Sequence, residues 1–161
     1  MTDMRGFQDQ GEYIPRRRFD LADLWAPGQP LPGGAKLKAI ARRVGRFWEC
    51  PELATRARII YSTRMRTTIG MARLDEDLVE LNPVLLTEHP EEFIETLAHE
   101  LAHLVVYWRY GSRAKPHGRE FFTLMRAVNL SGKATHELNV EHLRRPRLSA
   151  RRVRRDRRGR K

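Results

Sequence analysis

The stretch His99-Glu100-Leu101-Ala102-His103 places two histidines four positions apart within a segment whose apolar residues recur at helical spacing. Positions i and i+4 of an α-helix share one face, with Cβ atoms about 5–6 Å apart, so both imidazoles can reach one metal ion. Glu100 lies next to the first histidine and can act on a water beside that ion. The stretch therefore predicts a helix that carries two metal ligands, His99 and His103, and an acid/base, Glu100.

A catalytic zinc ion usually takes three protein ligands and one water, so a third donor is needed. The best candidate is His117, which follows His103 after a loop, residues 111–116, that contains glycine and proline and reverses the chain. Glu120 is the rival, either as a ligand or as a residue that orients a ligand imidazole. Three ligands would leave the site open for catalysis, whereas a fourth ligand such as Glu120 would make it structural.

The remaining pattern predicts an α+β fold. Apolar residues at helical spacing predict three main helices, and three short runs rich in β-branched and apolar residues predict strands. The runs are joined by only three or four residues, which permits only antiparallel neighbours, so we expect a small antiparallel β-meander packed with the helices. The predicted helices are 35–50, 90–110 and 118–129, and the predicted strands are 58–62, 67–74 and 78–81.

Positive charge is concentrated at the C-terminus. Residues 144–161 hold 11 of the 31 Lys and Arg residues and a single acid, Asp156, so the rest of the chain is almost neutral although the net charge is +11. This segment has too few apolar residues for their burial to offset the conformational entropy lost on folding, so we expect it to be a disordered Arg-rich tail. Arginine suits phosphate, so the tail is expected to bind DNA or another nucleic acid. A solubilising tail or a targeting signal is the alternative.

Composition divides the chain into three segments. Residues 1–33 contain charge clusters and a Pro/Gly-rich stretch and are expected to be poorly ordered, residues 34–143 to form the folded domain, and residues 144–161 to form the tail. No apolar run is long enough for a membrane helix, and no signal-peptide pattern is visible. The single cysteine, Cys50, excludes an internal disulfide. These features predict a cytoplasmic protein with no membrane partner.

The motifs and their order resemble the SprT-like family, which includes the Spartan-type DNA–protein crosslink proteases. The resemblance lies in the strand-like runs, followed by residues 82–86 (NPVLL), 96–103 (TLAHELAH) and 117–121 (HGREF). It implies a zincin-like metallopeptidase fold in which the three histidines named above bind zinc and Glu100 is the catalytic acid/base. It also implies action on proteins bound or crosslinked to DNA. Many bacterial members carry a four-cysteine zinc ribbon, which this chain with one cysteine cannot form.

Together these features favour a zinc metallopeptidase that cleaves DNA-associated proteins and is held at nucleic acid by its tail. The free edge of the meander could align an extended protein substrate by strand addition. Two alternatives stay open. One is a non-proteolytic nucleic-acid-binding accessory protein with a structural zinc site, and the other is a hydrolase of other amides that uses the same zinc and glutamate.

Overall fold

The computed structural model describes residues 24–132, which comprise five α-helices and one three-stranded sheet. The predicted α+β class is confirmed, and the three predicted main helices correspond to α1, α4 and α5. The elements are α1 (Gly34–Phe47), α2 (Leu53–Arg56), β1 (Arg58–Tyr61), β2 (Gly70–Arg73), β3 (Leu78–Leu81), α3 (Pro83–Glu88), α4 (Phe93–Tyr110) and α5 (Arg119–Ala127). The Arg-rich tail and most of the predicted N-terminal segment lie outside the described residues.

Helix α4 is the central element, since its apolar side chains are covered on several sides. Phe93, Leu97, Leu101 and Leu104 are completely buried along its length. Strands β2 and β3 pack against α4, as do helices α1 and α5. A helix that is apolar on so much of its surface is stable only when enclosed in this way. No helix within residues 24–132 has the length and apolarity needed to cross a membrane.

The sheet differs from the predicted meander. The strand order is β1-β3-β2, with β2 antiparallel to β3 but β1 parallel to β3, so the expectation of an all-antiparallel meander is wrong. The predicted run 67–74 pairs only over Gly70–Arg73, which leaves residues 62–69 as a connection long enough to carry the chain past the place of β3. Strand β3 takes the centre because it is the most apolar, with Val79 and Leu81 completely buried.

Asn82 fixes the loop that leads into β2. Its side-chain amide donates to the carbonyl oxygens of Met65 and Thr68, at 3.3 and 3.2 Å. Its Oδ1 accepts from the backbone N–H groups of Val84 and Leu85, at 3.1 and 3.2 Å, and so caps α3. The side chain is completely buried, where an unpaired polar group would be costly. One residue therefore joins the start of α3 to the approach of β2.

A second polar contact joins the turn between β2 and β3 to the end of α4. The carboxylate of Asp77, a residue with φ of 50°, accepts from the indole Nε1–H of Trp108 at 2.6 Å and from the guanidinium of Arg56 at 2.9 Å. The Arg56 guanidinium also lies over the Trp108 ring, 4.2 Å from its centroid. These hydrogen bonds, that from Arg56 above all, lower the pKa of the Asp77 carboxyl.

Both ends of the described segment pack on α4. Trp25 is buried with its ring centroid 4.6 Å from that of Phe93. At the other end, the Ser131 hydroxyl and the Gly132 backbone N–H both donate to the carboxylate of Glu95, near the start of α4. The last described residues, Ser131 and Gly132, are therefore held at the start of α4.

Candidate active site

Three histidine side chains converge beside helix α4. His99 and His103 lie one turn apart on α4, and His117 lies in the loop just before α5. The Nε2 atom of His99 is 3.1 Å from that of His103 and 3.2 Å from that of His117. One potential ligand atom from each residue lies within 4.8 Å of the others. The structure thus brings together the three histidines proposed from the sequence, and their role as ligands stays a prediction.

The spacing of these nitrogens fits a metal ion. Tetrahedral coordination with Zn–N bonds of about 2.0–2.1 Å places ligand nitrogens about 3.3 Å apart. Burial, with a further contribution from the neighbouring imidazoles of His99 and His117, lowers the pKa of His103 to about 4. His103 is therefore neutral at pH 7, and the neutral imidazole is the form that binds metals. The three side chains could therefore hold a metal ion.

Phe121 supports all three imidazole rings. Its side chain is completely buried on α5, and its ring centroid lies 4.8 Å from those of His99 and His103 and 5.0 Å from that of His117. His99 is buried, His103 is half-buried and His117 is exposed. The cluster is therefore closed by packing on the α4 side and open to solvent on the side of His117.

Glu100 lies between the histidine cluster and strand β2. It lines a cleft of about 330 Å³ together with the three histidines and Gly70, Met71, Ala72 and Leu74. Burial raises the pKa of Glu100 to about 7, and a hydrogen bond that its carboxylate accepts from the backbone N–H of Ala72 partly opposes this shift. A carboxyl group with this pKa can take up and release a proton near neutral pH.

Strand β2 presents its open edge next to this cleft. The backbone N–H of Asn82 donates to the carbonyl of Ile69 at 2.9 Å, at the end of the β2–β3 ladder. Hydrogen-bonded pairs alternate along an antiparallel ladder, so the N–H and C=O groups of Gly70 and Ala72 point away from β3. Within residues 24–132 β2 is an edge strand, so the N–H and C=O of Gly70 and the C=O of Ala72 can pair with an extended peptide, whereas the N–H of Ala72 donates to Glu100.

Glu120, the rival ligand, does not join the histidine cluster. It lines a surface groove with Arg109 and Tyr110 instead. Within residues 24–132, the group of potential ligands around the candidate site consists of the three histidines alone. Sequence reasoning did not single out Gly70 or Ala72, although a glycine inside a strand-like run is a signal that another group approaches the backbone closely.

Comparison with known proteins supports the reading of the motifs. The family model of the SprT-like family matches residues 37–142, which include all three histidines and Glu100. The chain belongs to the SprT-like family. Protein SprT of Escherichia coli O1:K1 is 37% identical to this SprT-like chain over 112 residues, which cover 68% of the chain and 63% of the relative. Proteins of the same name from Escherichia coli O139:H28 and Escherichia fergusonii give the same values.

The family identified from the motifs is therefore confirmed. This SprT-like chain spans about 63% of the length of the curated relatives it matches. No solved structure matches it significantly.

Proposed function

We propose that this SprT-like chain is a zinc metallopeptidase in which Glu100 is the catalytic acid/base. The observation that supports this most directly is the position of a half-buried Glu100 between three converging imidazoles and the edge of β2. Three imidazoles in this spacing suit zinc, which is commonly bound by histidine in tetrahedral sites. The cleft thus combines a metal-binding site, a proton carrier and an edge that can bind peptide backbone.

The residues of the cleft have separate tasks in peptide hydrolysis. When bound, zinc supplies Lewis acidity, which polarises the scissile carbonyl and lowers the pKa of a water to about 7. The Nε2 atoms of the three histidines would hold the ion. Glu100 accepts a proton from the attacking water on its carboxylate and passes it to the leaving amine nitrogen. The N–H and C=O of Gly70 and the C=O of Ala72 orient an extended substrate alongside Glu100.

The substrate class we propose is proteins associated with DNA, with the Arg-rich tail as the recruiting element. Support comes from the charge of residues 144–161, which hold 11 basic residues and one acid. Contacts between many arginines and phosphates release counterions, so binding should weaken steeply as salt rises. Replacing the arginines of the tail with glutamine should abolish salt-sensitive retention on DNA while cleavage of free peptides continues.

The Glu100→Gln variant tests the proposed chemistry. Glutamine keeps the shape of the side chain but cannot carry the proton, so we expect unchanged zinc content and cleavage reduced by on the order of 10²–10⁴-fold. The assay follows self-cleavage and cleavage of a DNA-crosslinked protein, with and without DNA. Glu120→Gln makes the same chemical change outside the histidine cluster and should cleave like the wild type. Wild-type cleavage by the Glu100→Gln variant would exclude this mechanism.

The charged tail would also suit a non-proteolytic nucleic-acid-binding protein with a structural zinc site. That alternative predicts a fourth protein ligand, such as Glu120, and no cleavage by the wild-type protein. The position of Glu120 in a separate groove supports the open site that an enzyme requires.

A further inference from the structure

We infer that Gly70 is a positioning residue, whose lack of a side chain leaves the space in which Glu100 stands between β2 and the histidine cluster. This role rests on the proposed function and adds the residue that sets the place of the acid/base. Gly70 is buried at the first position of β2 and lines the same cleft as Glu100.

Glu100 comes unusually close to the backbone at this glycine. A Cβ atom at Gly70 would lie 3.0 Å from Cγ and 3.3 Å from Oε1 of Glu100, and 2.7 Å from Cγ2 of Thr96. Only the contact with Thr96 is shorter than the 3.0 Å that real Cβ atoms keep, so that side chain or the strand must shift. The two contacts with Glu100 are tight enough that the Glu100 side chain must also give way by a few tenths of an ångström. Gly70 is not among the glycines with positive φ, so close approach rather than backbone conformation explains the glycine.

The hydrogen bond from the Ala72 N–H to Glu100 depends on the same close approach. If residue 70 had a Cβ atom, either β2 would move away from α4 or the Glu100 side chain would rotate away from the strand. Both movements displace the carboxylate from its place beside the cluster. None of the three atoms nearest to the added Cβ belongs to a histidine, so the metal ligands should keep their positions.

A simpler role for Gly70 is to allow tight packing against Thr96. A double variant distinguishes this packing role from the proposed role of placing Glu100. Thr96→Ser removes the Cγ2 methyl, which is the nearest contact, and leaves both contacts with Glu100. The double variant Gly70→Ala/Thr96→Ser therefore isolates the effect on Glu100. The remaining collision involves a side chain that can rotate, so we expect this variant to fold.

Two other glycines supply matched controls. At Gly34 an added Cβ would meet no atom within 4 Å, so Gly34→Ala measures the chemical change alone. At Gly45 it would lie 2.5 Å from the carbonyl oxygen of Cys50, so Gly45→Ala measures packing damage at a glycine that does not line the cleft.

The first measurement uses the full chain without metal. Hydrogen exchange of the Ala72 amide, followed by NMR, reports the bond to Glu100. We expect exchange to be faster by about tenfold in the double variant and in Glu100→Ala, and to stay at the wild-type rate in Thr96→Ser and in Gly34→Ala.

The second measurement uses the zinc-loaded protein. We expect kcat of the double variant to fall by on the order of 10²-fold while KM and zinc content stay close to the wild type. Thr96→Ser alone should keep the wild-type kcat, and Gly45→Ala should lower the melting temperature without this loss.

Wild-type exchange at Ala72 together with wild-type turnover in the double variant would overturn the inference. A double variant that does not fold would also overturn it, because Gly70 would then serve packing alone. If the wild-type protein shows no Glu100-dependent cleavage, the proposed function fails, and the exchange of Ala72 in the metal-free protein still decides whether Gly70 places Glu100.

Discussion

The Nε2 atoms of His99 and His117 lie 3.2 Å apart although 18 positions separate the two residues in the sequence. His99 is fixed by α4, whereas His117 reaches the site only because the loop after α4 turns back and α5 packs on α4. Phe121 on α5 contacts both rings. Metal binding should therefore be coupled to the docking of α5 on α4.

His117→Ala should weaken zinc binding severely. Loss of a residue that only orients a ligand typically costs about 10–100-fold in metal affinity, and loss of a ligand should exceed that range. Competition titration with a chromophoric chelator measures the change. His89→Ala is the matched control, since His89 lies in the turn after α3 and outside the cluster. Equal zinc affinity of the His117→Ala variant and the wild type would contradict the assignment.

Removal of zinc should lower the melting temperature. An ion that binds only the folded protein stabilises it by about 2.7 kcal/mol when its free concentration is 100 times Kd. Calorimetry in excess chelator, followed by addition of zinc, measures this difference. The difference should shrink in the His117→Ala variant. A melting temperature that does not respond to the chelator would show that these histidines bind no ion under those conditions.

Replacing Asn82 should destabilise the protein, because its side chain makes four hydrogen bonds while completely buried. We expect Asn82→Ala to lower the free energy of unfolding by on the order of 3 kcal/mol, measured in urea. Asn82→Ser keeps an oxygen that can cap α3 but loses the two donors to the loop before β2, so its loss should be smaller. Equal losses in the two variants would mean that the cap contributes little.

The Asp77 contacts predict a stability that declines in acid. The folded state lowers the pKa of this carboxyl, so its contribution is present above the ordinary value of about 3.9 and is lost as the pH falls through that value towards the folded pKa. Asp77→Asn removes the charge, and asparagine tolerates the positive φ of this position. The difference in unfolding free energy between wild type and variant should narrow from pH 6 to pH 3. A constant difference would exclude the carboxylate as its source.

Local pattern was sufficient to predict the part of the site that lies on one helix. The period of α4 gives the face shared by His99 and His103. The loop after this helix made His117 the best candidate for the third ligand, with Glu120 as its rival, and the resemblance to the SprT-like family also implied His117. The order and direction of the strands were predicted less well. They depend on the length of the loops, and the sequence does not show that the first residues of the predicted run 67–74 belong to a loop rather than to β2. Here the buried side chain of Asn82 holds the carbonyls of Met65 and Thr68 away from the ladder.

The role of Gly70 could not be predicted from its neighbours in the sequence. It depends on how closely β2 approaches α4, which is set by the packing of the whole sheet on that helix. A single glycine in a strand-like run indicates a close contact but does not identify the residue that makes it. Only the folded arrangement shows that the contacts are with Thr96 and Glu100.

Because Ser131 and Gly132 are attached to Glu95, the number of residues after Gly132 limits how far from Glu95 the C-terminal residues can reach. A fully extended chain advances about 3.5 Å per residue, so residues 133–143 can span at most about 40 Å. If residues 144–161 bind a DNA duplex as proposed, the duplex would be held within that distance of Glu95. Proteins on the same duplex would then be presented at a high local concentration, and proximity rather than sequence recognition would select which of them is cut.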